Sequence, residues 1–326
     1  MKTAPSISSI ISPGYIAHFV ISNYSFDDST TCNLLRTGIN HTYLVTVTNK
    51  KFIFRIYHLN WRTENEINEE LKLLDFLKDN KLLVSYPIKD KHDKYVQHLQ
   101  AIEGNRFGVL FSYAEGETIR KPSEKVCFNF GLAMAKLHQL TINKKTTRKI
   151  HNADSLVGWA IKKVISKFPE SINEIAYFKR AYKIISSEFE NTNNLRKGIV
   201  HLDLWHDNMK VKNETEVTMF DFDNCGDGLL CLDIGYSLML FYRNDPNKER
   251  FLKRKNSFLN GYESITEISN EEKKLIPFGG LAIWLHYTGQ HVQRFNDFAN
   301  HFLSDEFLKY WIDTVDKWMR FNDIKI

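Results

Sequence analysis

In the first third of the chain, hydrophobic and polar positions alternate in short runs that are typical of β-strands. Five such runs are present, at residues 30–36, 42–47, 52–57, 95–99 and 107–113. Between the third and fourth runs, apolar residues recur at helical spacing over residues 62–78. The pattern therefore predicts a small antiparallel sheet with one helix packed on it.

Beyond residue 113 the apolar spacing becomes mostly helical. Five long stretches have this pattern, at residues 123–140, 155–168, 171–190, 245–263 and 280–320. One β-like island, at residues 199–223, lies among them. We therefore predict an α+β fold with two lobes, a small antiparallel-sheet region (1–113) and a larger, mostly helical region (114–326), with a cleft between them.

The composition narrows the class of protein. Of the 326 residues, 43% are hydrophobic and 25% are charged, with 7 Pro and 15 Gly, which excludes disordered and collagen-like chains. No apolar stretch approaches the roughly 20 residues of a membrane span, and the N-terminus has no secretory pattern. The four scattered cysteines include no CxxC, and Cys225 and Cys231 are interpreted as buried thiols. We expect a cytoplasmic protein without a membrane partner.

The net charge is mildly positive, at +5, from 44 basic and 39 acidic residues. A surplus of this size would suit an anionic small ligand as readily as nucleic acid. The one basic stretch, at 248–255, is interpreted as a solvated helix face. We expect no nucleic-acid partner.

The island at 199–223 is the most informative stretch, because an apolar run leads there into a polar loop and then into a tight hairpin that ends in acids. Asp203 and Asn208 lie five residues apart on the loop, and Asp221 follows the returning strand. Such carboxylate and amide oxygens are the ligands that Mg²⁺ prefers, together with substrate phosphates and water. One of the acids is then left to orient a hydroxyl group.

This stretch resembles the active site of a known family. The spacing HxDxxxxN, here His201, Asp203 and Asn208, with an acid closing the next hairpin, is typical of protein-kinase-like enzymes. The variant HLDLWHDN…MFDFD…CLDIG is similar to the aminoglycoside phosphotransferase and choline kinase family, nearest to its bacterial type II homoserine kinases and stress-response kinases. The usual family string is HGDLHxxN, so Leu202 stands in place of Gly and Trp205 in place of His.

Further matches to this family lie in the first third of the chain. Arg55 corresponds to the basic residue that holds the α- and β-phosphates, although Lys is commoner there. Glu70 matches the helix acid that positions it, and Glu66, one turn earlier, is the rival. Asn40 lies in the phosphate-covering turn, although GxGxxG is absent, and the backbone near Tyr113 would bind adenine.

The resemblance implies a two-lobed protein-kinase-like fold and an ATP-dependent phosphotransferase. Asp203 would orient the acceptor hydroxyl and take its proton, while Asn208 and Asp221 would hold one or two Mg²⁺ ions that bridge the phosphates. Residues 1–113 would bind the nucleotide, and residues 114–326 would carry the catalytic loop and the acceptor pocket. We expect a monomer or homodimer whose partners are ATP and a small-molecule hydroxyl acceptor.

The sequence leaves the acceptor open between an amino alcohol, a hydroxy amino acid, a sugar and an antibiotic. In this family the helical lobe supplies the pocket, which here means residues 245–320. Between Ala282 and Leu303 the only acid is Asp297, against one Arg and three His, which argues against a polycationic aminoglycoside. A protein Ser/Thr kinase of the stress-response type and a nucleotide-binding pseudokinase scaffold are the alternatives.

Several residues around the motif have other predicted roles. His201 would brace the loop, His138 would be packed in the core, and Asp233 matches a structural Asp of the family. Asp223 is a second candidate acid, either for a second metal ion or for a basic residue of the acceptor pocket.

Overall fold

The computed structural model describes residues 4–190, 192, 195–245, 247–294 and 302–326. Its internal contacts divide the chain into two units. The first unit runs to Glu115 and includes Thr218–Phe220, and the second comprises Gly116–Val217 and the residues from Asp221 onwards. The roles predicted for residues 1–113 and 114–326 stay predictions.

The first unit is built on an antiparallel sheet. Its elements are α1 (Pro13–Tyr24), β1 (Thr31–Thr37), β2 (His41–Val47), β3 (Lys50–Ile56), α2 (Glu64–Asp79), β4 (Pro87–Ile88), β5 (Val96–Ala101) and β6 (Gly104–Ser112). The strand order is β1-β2-β3-β6-β4, β5 also pairs with β6, and neighbouring strands are antiparallel. The predicted sheet and helix are confirmed, whereas β4 has only two residues and is too short to produce a pattern.

One hydrophobic cluster joins α1 to the sheet. Ile16 and Val20 of α1 are fully buried with Tyr43 and Val45 of β2 and Phe54 of β3. Alternate residues of β2 are buried, as expected for a strand with one face on a core. This core holds β3 in place, and β3 carries Arg55.

The second unit is mainly helical. Its elements are α3 (Glu124–Thr141), β7 (Ile150–His151), α4 (Trp159–Val164), α5 (Asn173–Glu190), β8 (Lys197–Val200), β9 (Met209–Lys212), β10 (Glu216–Met219), β11 (Gly226–Leu229), α6 (Cys231–Asn244), α7 (Lys248–Glu263), α8 (Asn270–Gln293) and α9 (Asp305–Phe321). Strand β11 pairs with β7 in parallel and with β8 antiparallel. Strands β9 and β10 form a separate pair, and the last residues of β10 belong to the first unit.

The helices α6 and α8 correct the sequence prediction, which placed no helix at α6. Every residue from Cys231 to Phe241 is buried, so apolar residues occur on all sides and no helical alternation marks the segment. The stretch predicted at 280–320 is two helices. The first of them, α8, begins ten residues earlier at Asn270, after a capping box formed by Ser269 and Glu272.

Helices α3 and α7 approach each other closely at two glycines. A Cβ atom on Gly131 or on Gly261 would lie 1.9 Å from a backbone carbonyl oxygen of the other helix, so no other residue fits there. This approach brings Tyr262 of α7 to His138 of α3, with the phenol oxygen 2.8 Å from Nδ1. The close packing thereby fixes a histidine that contacts the candidate site.

Candidate active site

The first unit carries a buried ion pair between β3 and α2. Nη1 of Arg55 donates a hydrogen bond to Oε1 of Glu70 over 3.0 Å. The hydroxyl of Tyr57 donates to the other oxygen of Glu70 over 3.2 Å. The Glu70 side chain is fully buried, whereas the Arg55 side chain keeps 10% of its surface exposed. The carboxylate thus orients the guanidinium of a side chain that is not completely buried.

The two rival acids of α2 have different partners. Glu66 belongs to a capping box, in which its Oε2 accepts from the Thr63 N–H over 2.9 Å and its own N–H donates to the Thr63 hydroxyl over 3.2 Å. Such a box satisfies N–H groups that have no partner within the first helical turn. The structure pairs Arg55 with Glu70, one turn further along α2. The part of both residues in nucleotide binding stays a prediction.

The other two residues predicted to bind nucleotide lie at turns of this unit. In the β1–β2 turn, the Asn40 carbonyl oxygen accepts from the Gly38 N–H over 3.2 Å, and the Asn40 side-chain oxygen accepts from the His58 N–H over 3.3 Å. Tyr113 directly follows β6, and the Lys51 ammonium lies 5.4 Å from its ring centre. The Asn40 side chain therefore holds the turn, and nucleotide binding at both residues stays a prediction.

The predicted catalytic loop follows β8 in the second unit and brings Asp203 and Asn208 together. Nδ2 of Asn208 donates to the Asp203 carboxylate oxygen Oδ2 over 2.8 Å and to the Asp203 carbonyl oxygen over 2.9 Å. The side-chain oxygen of Asn208 takes part in neither bond. The amide thus turns its nitrogen to the acid and its oxygen away, which is the arrangement that a metal ligand beside Asp203 requires.

Asp233, at the start of α6, holds the backbone of this loop. Its Oδ2 accepts from the His201 N–H over 2.8 Å and from His138 Nε2 over 3.1 Å, and its Oδ1 accepts from the Leu202 N–H over 2.7 Å. Burial alone would raise the pKa of Asp233, but the hydrogen bond from His138, the two neighbouring histidines and the His201 amide hold it below its ordinary value. The carboxylate is therefore charged and can accept from all its donors.

The loop contains a residue in a strained backbone conformation. Leu202 is fully buried and has a φ of 67°, in the left-handed region. This region costs a residue other than glycine about 1–2 kcal/mol. The next residue, Asp203, donates its N–H to Nδ1 of His201 over 3.2 Å. The leucine thus adopts the turn for which the similar family has glycine, and Asp233 holds it there.

Asp221 leads into a short 3₁₀ turn, Phe222–Asn224, after β10. Its φ of 65° and ψ of 58° are also left-handed, a conformation that aspartate tolerates better than most residues. The ring centres of Phe222 and His201 are 4.3 Å apart, so this turn packs directly on the catalytic loop. Asp221 therefore leaves the hairpin beside the loop that carries Asp203.

Two tyrosines that the sequence did not indicate are influenced by the charge of Asp203. The rings of Tyr236 (α6) and Tyr287 (α8) are stacked, with centres 5.5 Å apart and planes inclined by 20°. Burial, followed by the negative charge of Asp203, raises the pKa of both phenols well above the ordinary value. A hydrogen bond to Asp203 and the charge of Asp221 raise the pKa of Tyr287 further. The charges of both acids thus act on Tyr287.

The second candidate acid, Asp223, is buried in the turn after Asp221. Its backbone carbonyl oxygen accepts a hydrogen bond from Nη2 of Arg148. The carbonyl oxygen of Asn224 lies 3.1 Å from Nε2 of His151. A basic side chain therefore lies against the backbone of this turn, and both roles predicted for the Asp223 carboxylate stay predictions.

The side chains around Asp203 fit a kinase-type magnesium site. Among the residues that the structure describes, no three His, Cys, Asp or Glu side chains form a metal site by themselves. Magnesium needs no such cage, since one or two carboxylates and the phosphates of a substrate complete its coordination. The Asp221 carboxylate and the outward oxygen of Asn208 are hard ligands of the required kind.

The structure describes the region predicted to hold the acceptor along α8 and α9, and its role stays a prediction. Asp297 and its neighbours at 295–301 lie outside the described residues, so the prediction that depends on this acid stays a prediction.

Within the described ranges, no helix combines the length and the apolar character that a membrane crossing requires.

Comparison with known proteins identifies the family. Residues 32–267 match the model of the phosphotransferase enzyme family. The homoserine kinase of Bradyrhizobium diazoefficiens is 22% identical over 262 residues, which cover 79% of this chain and 77% of its own length. The homoserine kinase of Agrobacterium fabrum is 25% identical over 264 residues, covering 79% of this chain and 78% of its own.

A solved structure supports the fold. The microcompartment-associated aminopropanol kinase superposes with a TM-score of 0.74 at 21% identity, covering 94% of this chain and 95% of its own. The predicted two-lobed protein-kinase-like fold and the predicted family are confirmed.

Proposed function

Because the chain belongs to the phosphotransferase enzyme family and is a small-molecule kinase, we propose that it transfers the γ-phosphate of ATP to the hydroxyl of a small amino alcohol, with or without a carboxylate. The observation that carries the proposal is the Asp203–Asn208 pair, joined by a 2.8 Å hydrogen bond on the loop against which the turn after Asp221 packs. A carboxylate and a hard-oxygen metal site side by side are what phosphoryl transfer to a hydroxyl requires.

In this proposal Asp203 accepts a hydrogen bond from the acceptor hydroxyl, aims its oxygen at the γ-phosphate and takes the proton late in the transfer. Asn208, through its side-chain oxygen, and Asp221 hold Mg²⁺, which when bound neutralises charge on the transferring phosphoryl group. Arg55 binds the α- and β-phosphates bidentately, and Glu70 fixes its direction. The turn at Asn40 covers the phosphates, and the backbone at Tyr113 binds adenine.

The proposed acceptor class is supported by the relatives and by α8. Relatives named homoserine kinase and a structural neighbour named aminopropanol kinase act on molecules that carry both an amine and a hydroxyl. From Lys273 to Arg294 the chain has no acidic residue. A polycationic acceptor would lack counter-charges on this stretch of α8, whereas a molecule with one ammonium group needs few.

The test is transfer from MgATP to a panel of amino alcohols, hydroxy amino acids, sugars, an aminoglycoside and casein, with phosphorylated products identified by mass spectrometry. Asp203→Asn keeps the shape and removes the base, so turnover should fall by about 10²–10⁴-fold while the calorimetric affinity for MgATP is unchanged. Asp207→Asn, on the same loop, is the matched control and should stay near wild type. Phosphorylation of casein alone would support a protein kinase, and MgATP binding without any transfer would support a pseudokinase; either contradicts the proposal.

A further inference from the structure

A row of hydrogen-bonded side chains joins α8 to Asn224. Nδ1 of His286 lies 3.4 Å from the carbonyl oxygen of Leu156, and Nε2 of His286 lies 3.0 Å from Nε2 of Gln290. The same nitrogen of Gln290 donates to Oδ1 of Asn224 over 3.3 Å. Nδ2 of Asn224 then donates to the hydroxyl oxygen of Tyr287 over 3.2 Å. The amide nitrogen of Gln290 is therefore used twice within this row.

The direction of these bonds leaves one buried oxygen without a donor. Because the Leu156 carbonyl can only accept, Nδ1 of His286 carries the ring proton and Nε2 accepts from Gln290. The Gln290 oxygen therefore faces away from the row. Gln290 is only 6% exposed, and Oε1 has no hydrogen-bond partner among the described residues. Such an atom is rare in native proteins, where water, an ion or a ligand completes it.

Gln290 is connected to the catalytic loop through the turn Phe222–Asn224. Its nitrogen donates to Asn224 at the end of this turn, and the ring of Phe222 at the start lies 4.3 Å from the ring of His201. His201 precedes Asp203 by two residues. The unpartnered oxygen thus belongs to a residue that braces the turn packed on the catalytic loop.

The chemistry of the row indicates the class of ligand. An amide oxygen accepts hydrogen bonds, and both donors of the Gln290 nitrogen are already used, so an anion finds no donor on this side chain. Two members of the row also belong to aromatic pairs: the ring centres of His286 and Trp159 are 4.9 Å apart, and those of Tyr287 and Tyr236 are 5.5 Å apart. A neutral oxygen together with aromatic faces can bind an ammonium group without a carboxylate.

We propose that Oε1 of Gln290 accepts a hydrogen bond from the ammonium group of the phosphoryl acceptor and thereby selects acceptors that carry an amine. The inference rests on the proposed function, in which the acceptor hydroxyl meets Asp203, because the ammonium group is then the remaining donor of an amino alcohol. A neutral partner agrees with the lack of acidic residues from Lys273 to Arg294. The two bonds from the Gln290 nitrogen hold its oxygen in place before the acceptor binds.

The test is a ligand-observed NMR titration of the protein in MgADP with 1-amino-2-propanol and L-homoserine, and with their amine-free counterparts 2-butanol and 4-hydroxybutanoate. Gln290→Leu should weaken binding of the amino compounds about tenfold to a hundredfold, because a hydrogen bond to a charged group is lost, and should change binding of the counterparts less than about twofold. Equal weakening of the amino compounds and their counterparts contradicts the proposal.

Gln290→Glu separates the role of the oxygen from that of the nitrogen. It keeps an oxygen for the ammonium group and loses the donors to His286 and Asn224, so it should bind the amino compounds at least as tightly as the wild type. Losses as large as in Gln290→Leu would show that the nitrogen bonds matter instead, and would contradict the proposal. Gln293→Leu, at an exposed position of the same helix, is the matched control and should leave all four affinities unchanged.

A crystal structure of the wild type with MgADP and 1-amino-2-propanol separates this inference from the proposed function. We expect the ammonium nitrogen within about 3.2 Å of Oε1 of Gln290. An ordered water on this oxygen with the amino alcohol bound elsewhere, or no binding of either amino compound, contradicts the inference. Phosphorylation of an amino alcohol whose affinity does not depend on Gln290 contradicts only the inference, whereas Gln290-dependent binding without phosphoryl transfer from MgATP contradicts only the proposed function.

Discussion

The two units hold their candidate functional groups in different ways. In the first unit one charged side chain holds another, since Glu70 accepts directly from the Arg55 guanidinium over 3.0 Å. In the second unit Asp233 accepts from the backbone N–H groups of His201 and Leu202, the two residues that precede Asp203. The ion pair thus orients the Arg55 side chain, whereas Asp233 sets the backbone path of a loop.

The difference follows from the roles proposed for the two groups. A phosphate-binding guanidinium remains charged throughout, so a permanent counter-charge can hold it. A group that receives a proton needs its carboxylate oxygens for the acceptor, and a charge placed directly on it would compete with the substrate. Holding the backbone leaves the Asp203 side chain to a neutral hydrogen bond from Asn208, which orients the carboxylate and lowers its basicity less than a charged partner would.

The largest effect is expected from removing the ion pair between Arg55 and Glu70. Arg55→Ala and Glu70→Ala each leave a buried charge without its partner, which costs about 3–5 kcal/mol of stability. The double variant should cost less than the sum, with a coupling of about 0.5–3 kcal/mol. Denaturant unfolding measures stability, and calorimetry measures MgATP affinity, which should fall in all three proteins if Arg55 is a phosphate ligand.

Glu66→Ala is the control for this pair, since Glu66 lies on the same helix one turn earlier. It removes one side of the capping box with Thr63 and should cost about 0.5–2 kcal/mol of stability with unchanged nucleotide affinity. Strictly additive effects of Arg55→Ala and Glu70→Ala, or a larger loss of MgATP affinity in Glu66→Ala, would show that Arg55 and Glu70 do not act together in nucleotide binding.

A smaller effect is expected from weakening the hydrogen bonds between Asp233 and the loop backbone, because Asp233→Asn keeps one acceptor oxygen. The amide cannot accept from both the His201 and the Leu202 N–H groups, so one buried donor loses its partner, at about 1–3 kcal/mol. Turnover should fall with it, since the loop is no longer held on both sides. MgATP affinity should change less than in Arg55→Ala. The reverse order would contradict the view that the ion pair orients a nucleotide ligand and that Asp233 holds the loop backbone.

The pH dependence of the unfolding free energy should differ between the wild type and Asp233→Asn. Because the pKa of Asp233 lies below its ordinary value of 3.8, its contribution is present above about pH 4 and is lost as the pH falls towards the lowered value. The Asn variant has no such group. The gap in unfolding free energy between wild type and variant should therefore narrow below pH 4, and a gap that stays constant would show that the charge of Asp233 is not what stabilises the loop.

The sequence predicted those parts of the molecule that have a local pattern. The strands of the first unit alternate, α2 has one apolar face, and Asp203, Asn208 and Asp221 lie at a recognisable spacing. Helix α6 could not be predicted, since burial on all sides removes its periodicity.

The contact between Asn224 and Tyr287 could not be predicted either, because the two residues come from distant parts of the chain, where an asparagine or a tyrosine has many ordinary uses. The choice between Glu66 and Glu70 as partner of Arg55 likewise needed the structure, since both lie on α2 and the sequence does not show how the helix is turned about its axis.

The smallest effect concerns the backbone of the loop that Asp233 holds. At most buried positions glycine is less stable than alanine by about 0.4–1 kcal/mol, because it loses more chain entropy on folding. At Leu202, with φ at 67°, alanine keeps the left-handed strain of about 1–2 kcal/mol and glycine does not. Both lose the buried side chain, so both should be less stable than wild type, but Leu202→Gly should be more stable than Leu202→Ala by about 1 kcal/mol.

Leu204, two residues further and equally buried, has no positive φ and is the matched control, at which alanine should be the more stable of the two. Denaturant unfolding of the four variants measures both orders. The same order at both sites would show that the loop relaxes out of the left-handed conformation, and that Asp233 does not hold Leu202 there.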